Sequence, residues 1–347
     1  MFADLERIYD GGSTDYRYTV HQDYIVHIIH DDYISDHIII IWGNAVLSIA
    51  LNDSSTKLIA GRIELSGYQE GEGDAARFNG ISGVITSPLL YPNYLLVTDV
   101  ANYCIRSIDR REMTTATVAG KCQLPGNTDG YVKNARFGLI TAIEQHPSNP
   151  YSIFLYDQSV HILKVLTIGN CMFKESNVAS VARIASSKIS GGTNLLDMVY
   201  DLDGDMLYLS YTTSIMSYKI SSSAFRTVVS ESAPNVNHLR DPSFVEAEIS
   251  FPTNVVFLST NHFIFGDLRQ ATMQIVNSDE NLITSLCENS LSNLCFRIYP
   301  NSILKDRYEN KLYIASEISL YEIAYVGEIY KHYNQGWIQA FDMSVPR

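Results

Sequence analysis

Residues 60–78 read AGRIELSGYQEGEGDAARF, and residues 119–137 read AGKCQLPGNTDGYVKNARF. Each matched position in the second segment lies 59 residues after its counterpart in the first, as Gly61 and Gly120 show. A repeat of this length indicates that one supersecondary unit is used several times along the chain. The matched positions are Gly61 with Gly120, Gly67 with Gly126, Gly71 with Gly130, Arg77 with Arg136, and Phe78 with Phe137.

Only strand patterns lie between the two copies. Residues 94–98 (YLLVT) form a short apolar run, and residues 104–109 (CIRSID) alternate between apolar and polar side chains. Residues 114–119 (TTATVA) return after a polar turn. Alternation with a period of two, β-branched residues and frequent polar turns predict an antiparallel meander.

The order of these motifs resembles the NHL repeat. The matching text is Ala-Arg-Phe, a strand ending in Val-x-Asp, Asn-x-x-Ile-Arg-x-Ile-Asp, and Thr-x-x-Val-Ala-Gly, and it covers residues 60–137, about a quarter of the chain. The resemblance implies a β-propeller whose blades are four-stranded antiparallel sheets. It also implies structural roles for the motif residues, which are Gly71, Arg77, Phe78, Asp99, Asn102, Gly130, Arg136 and Phe137.

Weaker copies of the second strand of this unit extend along the whole chain. They end at Trp42, Asp99, Asp157, Tyr211, Asp267 and Ser316, with spacings of 49–58 residues. The sequence therefore predicts an all-β, six-bladed β-propeller that forms a single domain over residues 1–347. The predicted units are approximately 13–61, 62–120, 121–184, 185–238, 239–288 and 289–335.

Closure of the ring has two candidate strands. Residues 1–12 contain LERIYDGG, which resembles the outer strand and glycine of a unit whose earlier strands are missing. Residues 328–331 (EIYK) are an alternative outer strand for the last unit.

Charge and hydropathy disfavour two classes of partner. The chain has 25 Lys and Arg against 38 Asp and Glu, a net charge of −13, which repels nucleic-acid backbones. The most apolar stretch, residues 37–51, is too short to span a bilayer, so we expect no direct membrane insertion within this chain. The clustered basic residues are Arg106, Arg110, Arg111 and Lys121.

The five cysteines bear on the cellular compartment. Cys104 begins the third strand of its unit and Cys122 follows the fourth, so their Cα atoms are expected within about 7 Å, which allows a disulfide. Cys287 and Cys295 flank a seven-residue loop and form a second candidate pair, which leaves Cys171 over. The alternative is five reduced thiols.

The sequence supports two alternative locations, one extracellular or at the cell surface and one cytoplasmic. The cysteine arrangement is similar to that of extracellular NHL-type domains of invertebrates, and two disulfides favour a secreted or cell-surface protein. Asn52 in Asn52-Asp53-Ser54 is a candidate glycosylation site. The first residues, however, have neither the basic segment nor the apolar core of a signal peptide, which favours a cytoplasmic protein.

Two clusters of potential metal ligands are interpreted as turns. Asp201 to Asp205 resembles a calcium loop, but the sixth and twelfth positions are Met206 and Thr212 instead of Gly and Glu, so a hairpin turn is predicted. A second cluster combines zinc-binding residue types, but the pattern around it predicts a solvated loop between two strands. Its members are His27, His30, Asp31, Asp32, Asp36 and His37.

The remaining candidate for a functional site is a calcium-binding site around the propeller axis. Polar residues near the starts of the inner strands form a candidate axial ring of Asn79, Asp197, Asn254 and Asn301. No nucleophile elbow, phosphate-binding glycine loop or set of three histidines accompanies it.

The sequence therefore predicts a recognition module without catalytic residues or cofactor, which binds a protein or glycan through its inter-blade loops. The alternatives are a metal-dependent hydrolase or lyase, which the resemblance to six-bladed propellers allows, and a cytosolic scaffold for protein interactions.

Overall fold

The structure is a computed structural model. It describes residues 25–86, 92–169, 177–183, 194–201, 203–230, 249, 251–260, 262–268, 272–277, 282–285, 300–306, 311–316, 319–324 and 338–341.

The described residues form six antiparallel sheets that follow one another along the chain, five with four strands and one with a short fifth strand. Blade 1 comprises β1 (Ile25–His30), β2 (His37–Trp42), β3 (Ala45–Ala50) and β4 (Thr56–Gly61). Blade 2 comprises β5 (Ile81–Thr86), β6 (Tyr94–Asp99), β7 (Cys104–Asp109) and β8 (Thr114–Gly120). Blade 3 comprises β10 (Ile140–Gln145), β11 (Ser152–Asp157), β12 (Ile162–Thr167) and β13 (Asn177–Arg183), with the short β9 (Gly130–Tyr131) on its outer edge.

The second half of the chain repeats this arrangement. Blade 4 comprises β14 (Leu195–Tyr200), β15 (Met206–Tyr211), β16 (Ser214–Lys219) and β17 (Ala224–Ser230). Blade 5 comprises β18 (Pro252–Ser259), β19 (His262–Asp267), β20 (Thr272–Asn277) and β21 (Leu282–Ser285). Blade 6 comprises β22 (Ser302–Lys305), β23 (Lys311–Ser316), β24 (Ser319–Ala324) and β25 (Ile338–Phe341). Two single 3-10 turns, Gly73–Ala75 and Val100–Asn102, lie in connections.

The innermost strands form a closed ring. β1, β5, β10, β14, β18 and β22 each contact the next in this order, and β22 contacts β1. The predicted six-bladed propeller of four-stranded antiparallel blades is therefore confirmed. No helix in the described part of the chain is long and apolar enough to cross a bilayer.

The last blade takes its outer strand from the C-terminal part of the chain. β25 pairs with β24 and begins three residues after position 335, where the last unit was predicted to end, so that boundary is too short. The sequence analysis did not identify residues 338–341 (IQAF), whose short run is no more strand-like than residues 328–331. Residues 1–12 and 328–331 lie outside the described residues, so a contribution of either segment to the last blade stays a prediction.

The apolar core lies between neighbouring blades. Ile39 of blade 1 packs with Phe78 and Leu95 at the start of blade 2, and Ile38 on the opposite face of β2 packs with Tyr313 of blade 6. Phe78 and Phe137 are both fully buried at equivalent junctions, as the repeat predicts. Each blade needs its neighbours because an isolated sheet leaves both faces in water.

The alternation of strand direction defines two faces of the ring. Turns between second and third strands, and connections from each fourth strand to the next blade, lie on one side, which we call the connection face. Turns between first and second strands, and between third and fourth strands, lie on the opposite face. The two repeated segments form connections and therefore belong to the connection face.

Candidate functional site

The repeated segments form two long inter-blade connections, repeat loop 1 (residues 62–80) and repeat loop 2 (residues 121–139). Repeat loop 1 crosses to the outer edge of blade 2, where Thr115 N donates to Gly71 O at 3.0 Å and Gly73 N donates to Met113 O at 2.9 Å. Repeat loop 2 reaches the outer edge of blade 3, because β9 pairs with β13. Each loop therefore adds a segment to the rim of the blade that it enters.

Arg106 on β7 fastens repeat loop 1 to blade 2. Its fully buried guanidinium donates to Arg77 O at 2.7 Å and to Gln69 O at 3.0 Å, and it lies 3.3 Å from Asp99 Oδ2. The guanidinium carbon also lies over the Phe78 ring, 4.7 Å from its centroid. One buried cation thus contacts both ends of the loop and the second strand of the blade.

The motif residues around Arg106 complete this clamp. Asp99 accepts a hydrogen bond from Asn79 N, and Asn102 Nδ2 donates both to Asp99 and to Gly67 O. Arg77 and Arg136 donate to carbonyl groups of their own loops, Arg77 to Asp74 and Ala76, Arg136 to Asn134 and Ala135. The residues of the motif that resembles an NHL repeat therefore hold the repeat loops in place.

Blade 3 uses a lysine for the same purpose. Lys164 on β12 occupies the position equivalent to Arg106, and its side chain is fully buried. Its Nζ donates to Asn127 Oδ1 at 2.8 Å and to Asp129 Oδ1 at 2.7 Å. Gly130 beside these residues has φ of 127°, a conformation that L side chains rarely adopt.

Both repeat loops expose large apolar side chains. Leu65 and Leu124 occupy the same position in the two loops and are 45% and 47% exposed. Tyr68 and Tyr131 are also exposed on these loops. We call these four residues the repeat-loop surface. Exposed apolar groups on a rigid support are a feature of interaction sites.

A shallow pocket of about 460 Å³ opens on the connection face between blades 2 and 3. Repeat loop 2 contributes two segments to it, and the turns between the second and third strands of both blades contribute the rest. The lining residues are Tyr103, Pro125, Gly126, Asn127, Gly138, Leu139, Ser159 and Val160.

The predicted Cys104–Cys122 disulfide is present, with a Cα–Cα distance of 5.2 Å. Cys104 pairs with Gly120 across β7 and β8, so the bridge closes the open end of this hairpin. Gln123 N beyond the bridge donates to Asn102 O at 2.8 Å. The disulfide therefore holds the start of repeat loop 2, immediately before the pocket-lining Pro125.

One member of the candidate axial ring, Asn254, has its side-chain amide bonded to the next blade. Asn254 Nδ2 donates to Ile303 O at 2.6 Å, and its Oδ1 accepts from Ile303 N at 2.8 Å, so its amide joins blade 5 to blade 6. Within the described ranges, no group of three His, Cys, Asp or Glu side chains is arranged to hold a metal ion. A calcium site at Asn79, Asp197, Asn254 and Asn301 stays a prediction.

Two carboxyl groups on inner strands have a perturbed environment. Burial, together with like-charge repulsion from the neighbouring Asp197, raises the pKa of Glu144 on β10 to about 8. Burial likewise raises the pKa of Asp197 on β14 to about 7. Burial lowers the pKa of His27 on β1 to about 4, so this imidazole is neutral at physiological pH.

Replacing Glu144 with glutamine is expected to stabilise the protein progressively as the pH rises from 5 to 8.5. In the unfolded chain the two carboxyl groups titrate near 4.5 and 3.8, so between pH 4 and 8 the folded state binds more protons and its stability falls as pH rises. Glu144→Gln should therefore match the wild type at pH 5 and exceed its free energy of unfolding by roughly 2 kcal/mol at pH 8.5. Urea unfolding at both pH values measures the difference.

The exposed Glu64 supplies the control for this experiment, and Glu64→Gln should leave the pH dependence unchanged. A Glu144→Gln variant whose stability parallels that of the wild type from pH 5 to 8.5 would contradict the assignment of the buried carboxyl group.

The predicted turns are present, with one correction. Asp201 Oδ1 accepts from Gly204 N at 2.8 Å and from Met206 N at 3.1 Å, as expected for a hairpin turn. The loop after β1 is not fully solvated, however, because Asp31 is buried and forms an ion pair with Arg110 of blade 2. The pair joins two neighbouring blades on the face opposite the connection face.

The clustered basic residues do not form a surface patch. Arg106 and Arg110 are both buried and paired with carboxylates, so only Arg111 and Lys121 of that cluster are exposed. Asn52 is exposed in the turn between β3 and β4. Cys171, Cys287 and Cys295 lie outside the described residues, so the second disulfide stays a prediction.

Sequence reasoning missed the roles of Arg106 and Lys164. Their shared position in the third strand, 58 residues apart, is the signal that indicates a common role. It also missed Glu144, because a glutamate followed by Gln145 and His146 has the pattern of the polar end of a strand.

No protein-family model matches the chain, and no curated protein matches it significantly. Solved structures share its fold at low identity. An auxiliary nutrient binding protein from Bacteroides thetaiotaomicron is 12% identical with a TM-score of 0.57, over 85% of this chain and 67% of that one. A chain of a nidogen/laminin complex is 11% identical with a TM-score of 0.55, over 83% and 89%. Virginiamycin B lyase from Staphylococcus aureus is 9% identical with a TM-score of 0.51, over 94% and 86%. At these identities the likeness concerns the β-propeller fold alone.

Proposed function

We propose that the protein is a non-catalytic, NHL-type recognition module that binds a protein partner through the connection face of blades 1 to 3. The observation that carries the proposal is the repeat-loop surface. Leu65 and Leu124 are exposed at the same position of two successive loops. Neither leucine is needed to fill the core, and burying exposed apolar side chains against a partner is favourable by about 25 cal/mol per Å².

The anchoring of the loops supports this proposal. Arg106 and Lys164 fix the two loops to the blades through buried polar contacts. A surface that is already ordered loses less conformational entropy on binding than a mobile one. Loops that are held in place and expose apolar side chains are therefore well suited to binding a partner.

The chemistry of the exposed side chains favours a protein partner over a glycan or a nucleic acid. The two leucines of the repeat-loop surface offer glycans neither hydrogen bonds nor an aromatic platform. Its two tyrosines suit a protein partner as well, because tyrosine is enriched in protein interfaces. A protein with a net charge of −13 whose clustered arginines are partly buried offers little to a phosphate backbone.

A secreted or cell-surface location fits the same picture. The Cys104–Cys122 disulfide is typical of oxidising compartments. Asn52 lies in a turn between third and fourth strands, on the face opposite the repeat loops. A glycan attached there would leave the connection face accessible.

The test is a binding screen against purified secreted proteins, cell-surface ectodomains and a glycan array, read by biolayer interferometry. A protein ligand is expected whose affinity falls at least tenfold for the double variant L65S/L124S. The matched control is Tyr151→Ser, which removes an exposed side chain from the opposite face.

Three outcomes would contradict the proposal. Binding to glycans alone would exclude the protein partner, and protein binding that is insensitive to L65S/L124S would exclude the repeat-loop surface. Stoichiometric calcium or zinc in the purified protein, measured by elemental analysis together with hydrolase or lyase activity, would favour the metal-dependent enzyme.

A further inference from the structure

We propose that the pocket between blades 2 and 3 receives apolar side chains from an acidic, extended segment of a partner protein. The inference rests on the proposed function and adds the chemistry of the bound segment. It depends on the lining of the pocket, on how this junction differs from the preceding one, and on the local charge.

The pocket has an apolar lining with a few polar groups at its edge. Tyr103, Pro125, Leu139 and Val160 supply apolar surface from four separate segments. Its volume of about 460 Å³ lies in the range of sites that hold small ligands or parts of peptides. An opening of this kind suits side chains that project from an extended segment.

The repeat alone does not account for the pocket, because this junction differs from the one between blades 1 and 2. At the preceding junction, Asn44 stands immediately before the third strand, where blade 2 has Tyr103. Asn44 Oδ1 accepts from Gly80 N at 2.8 Å, and its Nδ2 donates to Ile63 O at 3.3 Å, so it ties its junction together. Tyr103 makes neither contact and contributes a wall of the pocket instead. The two junctions therefore differ at an equivalent position, although the loops that enter them are copies of one repeat.

The side chain of Asn127 shows a second difference between the junctions. Its counterpart in repeat loop 1 is Tyr68, whose ring packs against the Arg106 guanidinium at 5.2 Å. Asn127 instead accepts from Lys164, which draws it toward the blade. The pocket edge therefore carries a small polar group where the other loop carries a large ring.

The charged residues of repeat loop 2 indicate the charge of the segment that binds there. Repeat loop 2 contains Lys121, Lys133 and Arg136 but a single carboxylate, Asp129, which is bonded to the buried Lys164. Lys121 and Lys133 are exposed. Repeat loop 1 has the opposite balance, with Glu64, Glu70, Glu72 and Asp74 against Arg62 and Arg77.

Arg136 packs against the pocket-lining Gly126, and Lys121 O accepts a hydrogen bond from Leu124 N, next to Pro125. Basic residues of repeat loop 2 therefore lie beside the pocket on an otherwise acidic protein, and we call them its rim. They favour a negatively charged segment, because complementary charges orient a partner and repel competitors of the wrong sign. Apolar side chains flanked by Asp or Glu therefore fit the pocket and its rim together.

The experiment uses three fluorescein-labelled peptides with one apolar core, Leu-Phe, flanked on both sides by two Glu, two Gln or two Lys residues. Fluorescence anisotropy at low ionic strength should show that the Glu peptide binds at least fivefold more tightly than the Gln peptide. The Lys peptide should bind most weakly. The difference should shrink at 0.5 M NaCl, because salt screens exposed charges.

Two variants test the pocket and its rim. Val160→Asp places a carboxylate in the pocket and should weaken the Glu peptide at least tenfold. K121E/K133E should reverse the preference between the Glu and Lys peptides. Lys57→Glu is the control for charge reversal, since Lys57 is exposed on β4, far along the chain from the pocket. Circular dichroism verifies that each variant is folded.

Three results overturn the inference: no binding of any peptide at 1 mM, equal affinity for the Glu and Gln peptides, or no effect of both variants. Tyr151→Ser, which removes an exposed side chain from the face opposite the pocket, should leave peptide binding unchanged. A protein partner that is lost with L65S/L124S but retained with Val160→Asp would leave the proposed function standing and remove the pocket inference.

Discussion

Replacing Arg106 with methionine is expected to lower the free energy of unfolding by about 3–5 kcal/mol. The substitution keeps the approximate length of the side chain but leaves the fully buried Asp99 without its cation. It also leaves the carbonyl oxygens of Gln69 and Arg77 without their donor. Urea denaturation measures the loss, and hydrogen exchange of residues 67–77 should show that repeat loop 1 becomes the least protected part of blade 2.

Arg111→Met is the matched control, because Arg111 is exposed in the turn after β7 and should change stability by less than about 0.5 kcal/mol. The loss of unfolding free energy for Arg106→Lys should lie between the losses for Arg106→Met and Arg111→Met. Lysine serves at position 164 in blade 3, but its single ammonium group cannot reproduce the forked contacts of Arg106 with two carbonyl groups. A loss below 1 kcal/mol for Arg106→Met would contradict the role of Arg106 as the clamp of repeat loop 1.

The architecture was accessible from the sequence because its determinants are local and periodic. Strand alternation and a recurrence every 49–59 residues appear in the printed residues, and together they specify a ring of similar units. The Cys104–Cys122 bridge was predictable for the same reason. Its two cysteines lie at the open end of one hairpin, so the pairing of two adjacent strands is sufficient to place them.

The contacts between blades were not accessible in this way. Asp31 and Arg110 are 79 residues apart, and their ion pair depends on how two blades face one another. The loop around Asp31 therefore has the composition of a solvated turn even though its carboxylate is buried. Glu144 and Asp197 present the same difficulty, because each lies in an ordinary strand and only the ring of inner strands brings them together.

The pocket also depends on contacts that no periodicity reveals. Tyr103 and Asn44 occupy equivalent positions, and the sequence alone does not show that Asn44 ties its junction together while Tyr103 lines an opening. Differences between copies of a repeat become informative only after the shared positions have been superimposed in the fold.

Removal of the Cys104–Cys122 bridge in the variant C104A/C122A is expected to cost about 3 kcal/mol of stability. The bridge joins residues 18 apart, and in the chain-entropy model a loop of this size restricts the unfolded state by about that amount. The native state should also change, because Gln123 N and Asn102 O hold the start of repeat loop 2 beside the bridge. Thermal unfolding measures the first effect, and limited proteolysis within residues 121–127 measures the second.

Reduction offers the decisive comparison. A mild reductant should lower the melting temperature of the wild type toward that of C104A/C122A, and it should have a smaller effect on the variant. Any effect that remains in the variant reports the predicted Cys287–Cys295 bridge, since Cys171 has no predicted partner. Alkylation of the denatured wild type without reductant should leave Cys104 and Cys122 unlabelled. Labelling of all five cysteines would contradict the bridge and remove the main argument for an extracellular protein, and the cytosolic scaffold would then be the better proposal.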